Sequence, residues 1–286
     1  VRIGNVKGRP WLITGQGAGI DIGKSSGGRF GTDLPGLYEN WLEFTIWAKN
    51  VVAESTPFNL EDLEAPSPAP RQIFAIGLNY FDHAAEAGLE VPSEPSVFTK
   101  FVSSFAGADI EVALPAGTVD WEVELAVIIG RHTRNVSAAD AWSYIAGLTV
   151  GQDLSERGLQ LTGNPPQYSL GKSFAQFSPT GPFLVTPDEL ANPGDLELGC
   201  RVNGELVQKA RTSQMVFAVD VLIEKLSKVA TLYPGDVIFT GTPAGVGIVR
   251  TPARYLAPGD ELVSYIEGIG EIRQTFVAES FEGSLP

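Results

Sequence analysis

Val119-Asp120-Trp121-Glu122-Val123-Glu124-Leu125-Ala126-Val127-Ile128-Ile129-Gly130 alternates with the two-residue period of a strand. Trp121, Val123, Leu125, Val127 and Ile129 fall on one face, while Glu122 and Glu124 lead the other, ahead of Ala126 and Ile128. Same-face side chains on a strand lie roughly 7 Å apart, so two carboxylates there can reach one ion between and above them. The apolar continuation of the acidic face predicts that the carboxylates stand at the polar mouth of a core. A buried carboxylate without a cation is costly. The pair by itself also fits a half-exposed strand whose outer face begins acidic.

Composition narrows the choices. With 286 residues the chain can bury one large core, or a large and a small one. Two His and one Cys cannot build a conventional structural zinc site, whereas strand-borne carboxylates suit a hard divalent ion such as Mg²⁺ or Mn²⁺. The single Cys200 rules out an intramolecular disulfide framework and fits a reducing cytoplasm. A formal net charge of -14 repels phosphate backbones, which argues against nucleic acid and anionic membrane as partners. No apolar run reaches the length of a bilayer span, and the first residues lack the basic-then-apolar layout of a signal peptide, so a soluble intracellular protein is expected. The high share of glycine (32) and proline (20) favours many turns and short strands.

Outward from the central strand, residues 1–66 read as a small separate α/β unit. Strands are predicted at residues 11–14 and 18–22 around Gly15-Gln16-Gly17, and a helix over residues 37–52 with Leu37, Trp41, Phe44, Trp47 and Ala48 on one side. Alternating prolines in Ala65-Pro66-Ser67-Pro68-Ala69-Pro70 predict an extended tether, so the boundary is drawn there: a linker at 67–70 and a second unit at 71–286. A strand over residues 72–77 then leads into a brief helix with Asp82 as N-cap and Gly88 as its stop. A helix that short is expected to be mobile unless something docks on it. Further helices are predicted over residues 137–144 and 215–226, with a strand over 145–150 between them.

Several motif matches fail. Gly171-Lys172-Ser173 ends like a P-loop, but Pro166 stands where its first glycine belongs. Gly15, Gly17 and Gly19 do not complete a dinucleotide fingerprint, because Ile20 takes the third glycine's place. Gly23-Lys24-Ser25-Ser26-Gly27 fits the nucleophile elbow yet no clear helix follows, so it reads as a turn. Two constellations carry more. Asp153, Arg157 and Gln160 at i, i+4 and i+7 predict one helical face just past a strand end, where functional side chains gather; the alternative is an ordinary surface ion pair. His83 and Glu86, three apart on the brief helix, allow the carboxylate to orient the imidazole and raise its basicity, the usual equipment for taking a proton from water. His132, in the charged turn Arg131-His132-Thr133-Arg134, is assigned no role.

Five blocks, Gly77-Leu78-Asn79-Tyr80-Phe81-Asp82-His83, Asp120-Trp121-Glu122-Val123-Glu124-Leu125-Ala126-Val127, Gln152-Asp153-Leu154-Ser155-Glu156-Arg157, Gly171-Lys172-Ser173-Phe174 and Thr240-Gly241-Thr242-Pro243-Ala244-Gly245-Val246-Gly247, occur in the order seen in the fumarylacetoacetate hydrolase superfamily, which the chain resembles over residues 71–276. The resemblance implies a β-rich α+β fold, a mixed β-sandwich roll with a small N-terminal domain, forming a homodimer. It implies Mg²⁺ or Mn²⁺ held at Glu122, Glu124 and Asp153, a 2-oxo acid substrate, and Lys172 stabilising developing negative charge. Arg157, Gln160 and Thr242 line the pocket in this reading, Lys100 adds positive charge near the substrate, and the His83–Glu86 pair activates water. Phe81, Gly158 and Ala175 depart from the family pattern and bear on substrate choice.

The expected reaction is hydrolysis of a C–C bond in a 2,4-dioxo acid, an acylpyruvate or a 2,4-dioxo-3-deoxy sugar acid, giving pyruvate and a carboxylic acid. Closure of the brief helix would exclude bulk water. Rival readings on the same site are oxaloacetate decarboxylation and keto–enol or double-bond isomerisation. A metal-assisted sugar-acid binding protein and serine hydrolysis through Ser25 are rivals of other classes.

Overall fold

The computed structural model describes residues 1–279. The strand read from the acidic stretch forms at Val123–Ile129 and runs through the middle of the largest sheet. In chain order the elements that matter are β1 (Arg2–Val6), β2 (Arg9–Gly15), β3 (Ala18–Asp21), α1 (Leu34–Glu39), α2 (Trp41–Ala48), β4 (Ile73–Gly77), α3 (Phe81–Glu86), β5 (Ser96–Phe98), β6 (Asp109–Leu114) and β7 (Val123–Ile129). There follow β8 (Ile145–Gln152), α4 (Arg157–Gln160), β9 (Ser178–Val185), β10 (Glu197–Val202), β11 (Glu205–Arg211), α5 (Val219–Val229), β12 (Val237–Phe239), β13 (Glu261–Ile266) and β14 (Gly270–Ala278). The large mixed sheet runs β3-β2-β1-β9-β8-β7-β12-β4-β5, and the second, five-stranded sheet runs β11-β10-β13-β14-β6. Among the described residues no helix is long and apolar enough to cross a membrane.

β7 is buried along its whole length because both of its faces meet protein. Val123, Leu125, Val127 and Ile129 join Leu198, Val202, Leu262, Ile266 and Phe276 of the second sheet in one core. Ala126 and Ile128 join a second core with Ile3, Leu12, Leu37, Trp41 and Phe44. The odd and even positions of one strand therefore tie together the two layers.

That second core changes the reading of the N-terminal residues. They do not stand apart as a separate unit, since β1 pairs antiparallel with β9 and α1 and α2 pack on the even face of β7. The proline-rich stretch is likewise no free tether: Ala65, Pro66 and Ser67 are buried, the Tyr38 hydroxyl donates to the Pro66 carbonyl at 2.8 Å, and Ser67 Oγ donates to the Gly235 carbonyl at 2.6 Å. Alternate prolines forbid helix but do not forbid packing. The expected helix over residues 37–52 is two helices broken at Asn40, with Leu37, Trp41, Phe44 and Ala48 inward as read. The helix expected over residues 215–226 starts later, at Val219.

Candidate active site

The three acids converge because two antiparallel strands end together. Val123 of β7 pairs with Gln152 of β8, so Glu122 and Asp153 lie one step beyond that pair, and the Asp153 N–H donates to the Glu122 carbonyl at 2.9 Å. Glu124, on the same face as Glu122, completes a cluster of three buried carboxylates whose oxygens lie within 4.8 Å of one another. Where the ladder ends, side chains take over the backbone donors: the Glu122 N–H goes to Gln152 Oε1 at 2.8 Å and the Val123 N–H to Gln208 Oε1 at 3.0 Å.

Cations surround the cluster. Lys172 Nζ donates to Glu122 Oε2 at 2.7 Å and to Asp153 Oδ2 at 2.6 Å. Lys100 Nζ donates to Asp153 Oδ1 at 2.5 Å and to the Lys172 carbonyl. Arg157 donates from Nη1 to Glu122 Oε1 at 2.7 Å and to Gln160 Oε1 at 2.8 Å, and from Nε and Nη2 to Asp120 Oδ2. Burial by itself raises the Glu122 carboxyl, but Lys172 and Arg157 beside it hold it down at about 2. Glu124 goes the other way. Burial, then the negative charges of Asp153 and Glu122, push its carboxyl well above the ordinary range, against the pull of Lys172 and of the Gly241 N–H donated at 2.7 Å. Burial lowers Lys100, whereas the charges of Asp153 and Glu122 outweigh burial and raise Lys172.

His83 lines a cavity of about 140 Å³ together with Glu122, Arg157, Gln160, Lys172 and Thr242. Its Nδ1 is 2.7 Å from Glu86 Oε1. A carboxylate accepts only, so Nδ1 is the donor, and in the neutral tautomer this selects, Nε2 keeps its lone pair for chemistry. Glu86 is held in turn by the Gly245 N–H, donated to Oε2 at 2.9 Å. α3 ends as its sequence predicts, with Gly88 at φ +67 and the N–H groups of Gly88 and Leu89 returning to Ala85 and Ala84. Asp82, however, lies in the first turn rather than capping it; Tyr80 is the N-cap.

The expected residues are thus brought together with two corrections. Asp153, Arg157 and Gln160 do not share a helix, because β8 runs on to Gln152 and a short bridge, Val119–Asp120 with Ser155–Glu156, intervenes before α4. The three still meet, Asp153 from the strand end and the others from one helical turn. Lys100 does not line the cavity: its side chain is fully buried against Asp153, and its ammonium supports that carboxylate. Thr242 lines the cavity, but its hydroxyl donates to the Val123 carbonyl at 2.9 Å and accepts from Gln208 at 2.9 Å, which makes it a brace. Reading the sequence missed Asp120, which also accepts from the Gly247 and Ile248 N–H groups at 2.7 and 2.9 Å, and Glu156, which caps α4 through Gly158 and Leu159. Asp120 is a third acid of the same stretch, two residues before Glu122 and so in phase with it and Glu124 by the two-residue period. Gln152 and Gln208 carried no signal.

Four buried acids, Asp120, Glu122, Glu124 and Asp153, face three buried cations, Lys100, Arg157 and Lys172. The excess rests on Glu124, and the donor set is oxygen only, so the residues fit a hard divalent cation held by Glu122, Glu124 and Asp153.

The fumarylacetoacetate (FAA) hydrolase C-terminal pattern matches residues 72–277, and the chain is a member of the fumarylacetoacetate hydrolase family. Among its relatives, the human mitochondrial oxaloacetate tautomerase FAHD2A is 42% identical over 273 residues, 91% of this chain and 87% of that one. A candidate HpcE protein from Mycobacterium smegmatis is 54% identical and superimposes with a TM-score of 0.94 over 98% of this chain and 100% of the other. A maleylpyruvate hydrolase from Sphingobium sp. SYK-6, solved with manganese(II) and pyruvate, is 29% identical with a TM-score of 0.80 over 98% and 100% of the two chains.

Proposed function

We propose that the protein enolises a small 2-oxo diacid, exchanging the keto and enol forms of oxaloacetate. The observation that carries this reading is His83, its Nδ1 engaged by Glu86, lining one cavity of about 140 Å³ with Glu122 of the carboxylate cluster. Ligand pockets commonly measure about 300–1,000 Å³, so the small cavity favours a substrate of few atoms. Identity to an oxaloacetate tautomerase along nearly the full chain supports the same choice.

In the forward direction His83 Nε2 takes a proton from C3, the C3–H electron pair forms the C2–C3 double bond, and the C2 carbonyl oxygen receives a proton to become the enol hydroxyl. Mg²⁺ or Mn²⁺ at Glu122, Glu124 and Asp153 would supply Lewis-acid polarisation of that oxygen. Glu86 steadies the imidazolium as it forms, and Lys172 places an ammonium beside the developing negative charge. The test is ketonisation of enol-oxaloacetate, followed by ultraviolet absorbance with Mg²⁺ present. Acceleration over Mg²⁺ alone is expected for the native protein and not for His83→Ala; no acceleration by the native protein contradicts the reading.

A second reading is favoured by the maleylpyruvate hydrolase of the same fold. Here the same pair takes a proton from water, the oxygen adds to C4 of a 2,4-dioxo acid, and the C3–C4 bond breaks. Its electrons pass to C3, which is protonated to give pyruvate beside a carboxylic acid. Release of pyruvate from an acylpyruvate separates this reaction from tautomerisation, which releases nothing.

A further inference from the structure

Trp121 stands between Asp120 and Glu122, fully buried, and its indole does more than fill the core. Its Nε1–H donates to the Gly245 carbonyl at 3.1 Å. The N–H of the same Gly245 donates to Glu86 Oε2, whose other oxygen holds His83 Nδ1. A continuous chain of hydrogen bonds therefore runs from the segment that carries the metal-binding acids to the imidazole on α3. Its covalent spans are Gly245, from N–H to carbonyl, and the Glu86 carboxylate, from one oxygen to the other.

Gly245 can serve as that span because it adopts φ +111, and a Cβ there would meet the Val207 carbonyl oxygen at 2.1 Å. Glycine in this region is free to turn, so the direction of its N–H has to be held from outside. The donors to its carbonyl supply the hold. One is Trp121, rigid and packed on all sides; the other is Arg250 Nη2, longer at 3.3 Å and reached from a partly exposed side chain. Asp120 secures the following turn through the N–H groups of Gly247 and Ile248.

We propose that Trp121 is a positioning residue for the His83–Glu86 pair, acting through Gly245: its indole N–H fixes the backbone whose N–H orients Glu86. The consequence is that α3, a helix of six residues with little stability of its own, keeps its imidazole in register with the carboxylate cluster. The effect on catalysis rests on the proposed enolising function, but the effect on His83 does not.

The chain has only two histidines, so imidazole resonances of ¹⁵N-labelled, Mg²⁺-loaded protein separate the two questions. His132 packs edge-on against Tyr233, away from this network, and reports on folding. In Trp121→Phe the ring is kept and the donor lost. The expected result is loss or marked upfield movement of the His83 Nδ1–H proton signal with His132 unchanged, and a fall in kcat for oxaloacetate of about 3- to 10-fold, the size of one hydrogen bond, with KM unchanged. Arg250→Met removes the weaker donor together with the guanidinium that lies over the Trp121 ring at 5.5 Å, but leaves the indole N–H in place, and is expected to shift the His83 signal less and in the same direction. An unaltered His83 signal in a folded Trp121→Phe protein overturns the proposal. So does a His83 signal that moves in Arg250→Met and not in Trp121→Phe. If the native protein does not enolise oxaloacetate, the proposed function fails while the resonances still decide the role of Trp121.

Discussion

Lys172 Nζ lies 2.6 Å from Asp153 Oδ2 and 2.7 Å from Glu122 Oε2, so one ammonium spans two of the three clustered acids. Removing it leaves buried carboxylates short of a cation. For Lys172→Met the metal-free protein is expected to lose about 3–5 kcal/mol of stability in urea unfolding. Saturating Mg²⁺ should then restore more stability to the variant than it adds to the native protein. An equal gain in both contradicts the role of Lys172 as a counter-ion to the cluster.

Glu122→Ala removes a proposed ligand and also leaves Arg157 Nη1 with Gln160 as its remaining partner. Mg²⁺ affinity measured by calorimetry should fall by about 100-fold or more, beyond the effect of losing an outer partner alone. Full metal-dependent activity in this variant would show the ligand set to be wrong.

For His83→Ala, kcat should fall by about 10²–10⁴, the range for a positioned general base, with Mg²⁺ affinity unchanged because His83 is no part of the cluster. Glu86→Gln should fall less, since an amide oxygen still accepts from Nδ1 but no longer balances the imidazolium charge. Comparable losses from both changes in metal affinity, rather than in kcat, would place the pair in a structural role.

The two glutamates give opposite pH signatures. Glu122, held at about 2, contributes stability that is present above its unfolded value and lost as pH falls through 2. Glu124, raised, contributes stability that is present below its unfolded value and lost as pH rises through its folded one. Binding a cation at Glu124 must displace the proton its raised carboxyl retains, so Mg²⁺ affinity should rise with pH, with proton release detected by calorimetry in buffers of different ionisation enthalpy. Glu124→Gln should abolish that release. Affinity that does not vary with pH contradicts the shift.

The acidic face of β7 was legible from the sequence because period two admits one arrangement, and the His83–Glu86 spacing was legible because three residues is one helical turn. The place of Asp153 was not, since a helical spacing and a strand end look alike until the pairing of Val123 with Gln152 fixes the register. The attachment of the N-terminal residues was hidden for a similar reason. Sequence shows that Ala126 and Ile128 are apolar, but only the β1–β9 pairing shows that Leu37, Trp41 and Phe44 are what covers them. Lys100 and Lys172 look alike in sequence and are both buried against Asp153; of the two, Lys172 lines the cavity.

Both reactions considered for this site require a proton to leave or join C3 of a 2-oxo acid, and a binding protein requires neither. The most direct measurement is therefore deuterium incorporation at C3 of pyruvate in D₂O, followed by NMR with Mg²⁺-loaded protein. Exchange faster than with Mg²⁺ alone, lost in His83→Ala and in Glu122→Ala, is the expected result. Exchange no faster than the Mg²⁺ background, with pyruvate shown by calorimetry to be bound, would contradict enolisation at this site.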